Sequence, residues 1–235
     1  MAIYSEDTIC GINVALNEAK LLGVEFHQDK EAVAVSFAPL AIDENGQLPA
    51  DNRVLFVFSP VGKFAASYRL GRWDDSTAPT VKFEPKQIFD KIEEFGHRSI
   101  YGWEFIDCNS KSESWLDKLS FEYNSVDKHG REHSIELFQE GVDKHIDVKI
   151  WFDEFEIFTP KYDKVEIQAF IDNGKRAWDG IYYGNASDIF GIYPLKANTI
   201  LSKSTGENAV NNTGTRFHVQ PKHHKFKELW RKLWK

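Results

Sequence analysis

The stretch HIDVKIWFD, residues 145–153, decides the fold class. Its apolar residues Ile146, Val148, Ile150 and Phe152 fall on every second position, a period that only an extended strand turns into one face. His145, Asp147, Lys149, Trp151 and Asp153 then share the opposite face. That face mixes charge with aromatic surface. It is read either as a solvated sheet face with Trp151 partly covered by a helix, or as a surface that holds a ligand or partner.

Upstream of this strand, HSIELFQ (133–139), WLDKLSFEY (115–123) and YGWEFID (101–107) read as further strands. They follow a short strand TVKF (80–83) and a helix PKQIFDKIEEFG (85–96), where Pro85 suits a first helical position. Downstream, FEIF (155–158) and the helix KVEIQAFIDNGKRAWD (164–179) open another round, continued by GIYYG, FGIYPL, NTILS and RFHVQ. At the other end, Ile9, Ile12, Val14, Leu16, Ala19 and Leu22 keep mostly helical spacing over 6–22, with Gly23 as a stop. VEF (24–26), EAVAVSF (31–37), RVLFVF (53–58) and GKFAASYRL (62–70) follow as strands, separated by the turn formers DENG (43–46) and SPVG (59–62).

The expected class is therefore α+β, with repeated helix plus antiparallel β-meander units in β-α-β-β-β-β order and curved sheets packed on helices. The expected units are 1–76, 77–153 and a degenerate third unit or sheet extension, 154–220, followed by a helix at 221–235. Residue matches carry this reading. Ser36-Phe37 and Asp43-x-x-Gly46 recur as Ser120-Phe121 and Asp127-x-x-Gly130, and Gly96-x-Arg98-x-x-x-Gly102 recurs as Gly174-x-Arg176-x-x-x-Gly180. Arg98 and Arg176 each follow a Gly read as a helix terminator. They are expected to satisfy carbonyls at a helix end, or to capture an anion as paired guanidinium groups.

Composition narrows the classes of function. The chain is 42% hydrophobic with eighteen Phe, eight Tyr and seven Trp, enough apolar surface to offset the entropy of ordering it. A formal charge of −7 opposes the phosphate neutralisation on which general nucleic-acid binding depends, and favours a basic partner. MAIYSEDTIC lacks the basic and apolar regions of a signal peptide, and no apolar run approaches ~20 residues, so a cytoplasmic location is expected. Cys10 and Cys108 are read as reduced, buried thiols.

Local catalytic signatures are missing: the sequence has no G-x-G-x-x-G, Walker loop, H-E-x-x-H, G-x-S-x-G or C-x-x-C, and no cofactor is expected. His129 and His133 are read as a solvated hairpin turn, His223-His224 as surface, and Asp74-Asp75 as an exposed acidic segment after Gly71-Arg72-Trp73. In PKHHKFKELWRKLWK, Phe226, Leu229, Trp230, Leu233 and Trp234 form an apolar stripe, and a charge of +5 leaves −12 on the remainder. This helix is expected to dock on its own sheet, with Phe226, Trp230 and Trp234 meeting a partner or a membrane surface in the alternative readings. Three functions follow. The first is a non-catalytic bacterial-type interaction protein, immunity- or inhibitor-like, whose acidic surface recognises a basic protein or small ligand. The second is an enzyme with a pocket between sheet and helix, pairing His145 with Asp147 or Glu136. The third is a membrane-surface protein.

Overall fold

The structure, a computed structural model, describes residues 4–102, 104–108, 115, 117–126 and 131–183. The 221–235 helix with Phe226, Trp230 and Trp234, His129, His223-His224 and the strands expected beyond residue 183 lie outside the described residues.

The first helix, α1 (Glu6–Leu16), starts where the Ser5 hydroxyl accepts the Thr8 N–H, with Glu6 and Asp7 at its positive end. It stops at Leu16 rather than at Leu22. Asn17 caps it, Glu18 takes a left-handed φ of 58°, and Leu21 and Val24 pass into β1 (Lys20–His27), whose apolar residues mimic helical spacing. β2 (Ala32–Ala38) pairs antiparallel with β1.

RVLFVF and GKFAASYRL form one strand, β3 (Val54–Leu70), because SPVG does not turn the chain. The Ser59–Pro60 peptide is cis, and a bulge lies between Val61 and Lys63. Pro60 stands where the flank of β3 passes from β2, which pairs as far as Phe58, to a later strand that pairs from Lys63. Phe56, Phe58, Val61, Phe64, Ala66 and Tyr68 all join the core, with Val61, next to the bulge, the one out of step with the period of two.

TVKF contributes only a single bridge, Thr80 to Arg69. Pro85–Gln87 form a 3₁₀ turn with a Glu84/Gln87 capping box, followed by α2 (Ile88–Glu93), which ends before Gly96 at φ 68°. Among the described residues of the 115–123 segment only those of β4 (Phe121–Asn124) are in a strand, and among those of 101–107 only Ile106 makes a bridge. β5 (His133–Glu140) is followed by β6 (Lys144–Phe158), which absorbs FEIF, so the 153/154 limit between units falls inside a strand. β7 (Lys164–Val165) and α3 (Ile167–Tyr183) complete the described residues.

These strands make one seven-stranded antiparallel sheet in the order β1-β2-β3-β6-β5, with β4 beside β3 and β7 beside β6. The α+β class is as expected: Ile12 and Leu16 of α1, Ile88 and Ile92 of α2, and Phe170 and Ile171 of α3 join the sheet in one apolar core. Residues 98–107 cover both sheet edges. Leu21 N–H bonds the Arg98 carbonyl and Ile100 N–H the Ala19 carbonyl at β1, while Tyr101, Glu136 and Asp107 N–H groups bond along β5. Buried Asn13 of α1 holds this segment, its Oδ1 accepting the N–H groups of Phe105 and Ile106 at 3.0 Å each. Both cysteines are free, but Cys10 is exposed and Cys108 half-buried, so the expected burial of these thiols is corrected.

Gly174 is an interior residue of α3, not a helix terminator. A Cβ there would lie 2.5 Å from the Ala15 Cβ and 2.7 Å from its Cα, so the crossing of α3 on α1 requires glycine. We predict that Gly174→Ala destabilises the protein by about 1–3 kcal/mol, because the obstacle includes backbone. Asn13→Leu should cost about 2–4 kcal/mol by leaving two buried N–H groups without acceptors. Urea midpoints of the two variants against wild type check both values.

Candidate functional site

The 145–153 strand has the expected inner face: Ile146, Val148, Ile150 and Phe152 are at most 1% exposed. Its outer face is not solvated. His145, Asp147 and Lys149 are buried as well, with Trp151 and Asp153 half-buried at the margin. Segments 71–80 and 115–120 lie over this face. Lys118 ties them together, its ammonium donating to the Ser76 carbonyl at 2.6 Å and its carbonyl accepting from the Ser67 hydroxyl at 2.6 Å.

Beneath them the charges close on one another. Asp147 is opposite Ser67 in the β3–β6 register and takes the Arg69 guanidinium at 2.5 Å. Lys149, opposite Glu136 of β5, lies 3.5 Å from its carboxylate and 5.2 Å from the Trp151 ring centroid. Glu136 also accepts the Trp115 indole N–H, and Lys63 approaches the Trp151 ring at 4.9 Å while pairing with Glu122. His145 donates from Nδ1 to the Gly71 carbonyl at 2.9 Å. Burial pushes the His145 pKa down, and burial pushes the Asp147 carboxyl up to about 6 against the pull of Arg69. The expected acid-base pairing of His145 with Asp147 or Glu136 is therefore not made. Each of these groups is committed to a structural partner.

The two arginines are not brought together. Arg98 is exposed after Gly96, and it is its carbonyl that works, accepting from Leu21 N–H and from the amide of buried Gln139. Arg176, inside α3, donates from Nε to the Ile42 carbonyl at 3.1 Å and to Asn173 Oδ1. Asp74 pairs with Arg72, and Asp75 caps a turn through Thr77. His133 is a correction: it is buried at the start of β5, with Nδ1 2.7 Å from the Asp107 carboxylate, whose other oxygen accepts Ser134 N–H. Asp107 sits at a left-handed φ of 51°, which no local sequence pattern announces.

Arg176 belongs to an open cleft of about 350 Å³, lined by Asp43, Glu44 and Asn45 of the 42–47 turn and by Ala169, Asp172, Asn173 and Arg176 of α3. The turn is built by Asp43 Oδ1, which accepts the N–H groups of Asn45 and Gln47 at 2.9 and 2.8 Å, with Gly46 at φ 76°. Ile42 N–H to the Asn173 carbonyl, together with Arg176, clamps the turn onto α3. With the guanidinium engaged, three carboxylates dominate the lining. The Asp43-x-x-Gly46 turn is legible in sequence, but its meeting with Asp172, well over a hundred residues on, is not.

The Asp147 shift has a definite sign. A folded pKa above the usual carboxylate value means that the folded state binds a proton more readily than the unfolded chain. The stability contributed is full near pH 4 and is lost as pH rises through about 6. Carboxyl ¹³C NMR should give Asp147 a midpoint near 6, absent in Asp147→Asn. A midpoint at or below about 4 would refute burial as its dominant influence. No protein-family model, curated protein or solved structure matches the chain, so function is read from this geometry.

Proposed function

We propose that this is a non-catalytic binding or interaction protein, immunity- or inhibitor-like, whose acidic surface recognises a basic protein partner or a small cationic ligand. The observation that carries the reading is the cleft between the 42–47 turn and α3, where Asp43, Glu44 and Asp172 outnumber an arginine already bound to a carbonyl. A formal charge of −7 extends the same preference over the whole chain and speeds encounter with a cation. The enzymatic reading loses its acid-base pair, since His145 goes to Gly71 and Asp147 to Arg69. Two free cysteines suit a reducing compartment, which supports a cytoplasmic location.

The reading of the chain as related units goes with this function. It is supported by the two hairpins β2–β3 and β5–β6, one within 1–76 and one that starts in 77–153 and runs on to Phe158, which supply the central strand pair. Among the described residues no helix is long and apolar enough to cross a membrane.

Calorimetric titration with arginine methyl ester, with basic proteins and with acidic counterparts tests the proposal. Cationic titrants should bind, more weakly as salt is raised, and the Asp43→Asn/Glu44→Gln/Asp172→Asn variant should lose about tenfold in affinity. Preference for the acidic titrants would transfer the cleft to anion capture by Arg176 and overturn the reading.

A further inference from the structure

Buried sheet faces account for most of the aromatic residues, but three large apolar side chains stand exposed around one end of the sheet. Leu70 ends β3 at 48% exposure, Trp73 follows at 58%, and Val142 in the β5–β6 turn reaches 83%. The backbone ties them together: Leu70 is opposite Lys144 in the β3–β6 register, and Gly71 N–H donates to the Asp143 carbonyl at 2.7 Å. Carboxylates outnumber cations around them. Arg72 is paired with Asp74, and Lys144 shares Glu94 with Lys91, whereas among the described residues neither Glu140 nor Asp143 is in an ion pair. Glu140 is opposite His145 in the β5–β6 register, and His145 bonds the Gly71 carbonyl, which puts Glu140 at the same end of the sheet.

An exposed Trp flanked by aliphatic side chains is the composition of an interface anchor, and a rim of unpaired carboxylates selects what approaches it. An anionic lipid surface would meet like charge here, and the same face of a second copy would bring the same carboxylates against themselves. We infer that this end of the sheet, centred on Trp73 and Val142, docks a basic segment of a second polypeptide that inserts an apolar side chain between them. The inference rests on the reading of the protein as a binder of basic partners, and adds a face distinct from the α3 cleft.

The test follows ¹H–¹⁵N shifts of the full chain during titration with a synthetic fifteen-residue helical peptide bearing Lys on one face and Leu with Trp on the other. Control peptides carry Glu or Ser in place of Lys. Shifts should gather at residues 70–75 and 140–144 for the Lys peptide alone. Affinity should fall about tenfold in Trp73→Ala/Val142→Ser and in Glu140→Gln/Asp143→Asn, and stay unchanged in the cleft variant Asp43→Asn/Asp172→Asn. All these side chains but half-buried Glu140 are exposed or line the open cleft, so the variants should fold, which their unperturbed remaining spectra would show.

Equal binding of the Ser or Glu peptide, or full binding by both sheet-end variants, overturns the inference. So does a dimer in sedimentation that Trp73→Ala abolishes, or cosedimentation with phosphatidylserine vesicles that depends on Trp73. Loss confined to the cleft variant would reject this face while leaving the cleft reading intact. No binding of any cationic probe to either face would reject both.

Discussion

The antiparallel pairing of β3 with β6 is the constraint on which the other elements depend. It runs from Leu55 opposite Phe158 to Leu70 opposite Lys144, far longer than a typical strand pair. So long a ladder has two halves with different neighbours. β2 flanks β3 only to Phe58, and β4 takes over from Lys63; β5 flanks β6 to Phe152, and β7 follows at Ile157. The bulge between Val61 and Lys63 lies at this exchange, beside Val61, which joins the core although it is out of step with Phe58 and Phe64 on either side of it.

A sheet with this core on one face leaves the other to be covered, and the chain covers its lower half with segments 71–80 and 115–120. The cost is that charged residues are taken out of water. Arg69 with Asp147 and Lys149 with Glu136 answer it by pairing across adjacent strands, at positions that the register makes opposite or diagonal. Such buried pairs are weak evidence for stability, since desolvation offsets much of their attraction, as the raised Asp147 pKa records. What they supply is register: a one-residue slip of β6 would carry Asp147 and Lys149 into the apolar core and strand both charges.

Much of the sheet was legible because period-two alternation is a local property. The inner face of 145–153 and the strand 133–139 could be read directly. The SPVG run was read as a turn because Pro and Gly interrupt strands in general; whether they do so here depends on which neighbour β3 has at Pro60. The 101–107 segment has strand composition, yet its bonds go partly to β5 and partly to Asn13, so it ladders only at Ile106. The polar face was misjudged for the same reason. Alternation identifies two faces but not what lies over the second one, and Gly71, Trp115 and Lys118 come from elsewhere in the chain. Gly174 was matched to Gly96 by spacing, although one packs against Ala15 and the other ends a helix at positive φ.

The covering of both faces also decides where recognition can occur. Helices fill the concave side of the sheet and loops fill part of the outer side, so His145, Asp147 and Lys149 cannot meet a partner without unfolding those loops. Among the described residues, two accessible places where carboxylates gather lie where the chain turns: at 42–47 against α3, and at 70–75 beside 140–143. At both places the carboxylates outnumber the cations available to them, and at the second an indole stands in solvent beside them. The proposed recognition of a basic partner draws on the carboxylates gathered at those turns, and the apolar group at one of them would give such a partner something to bury.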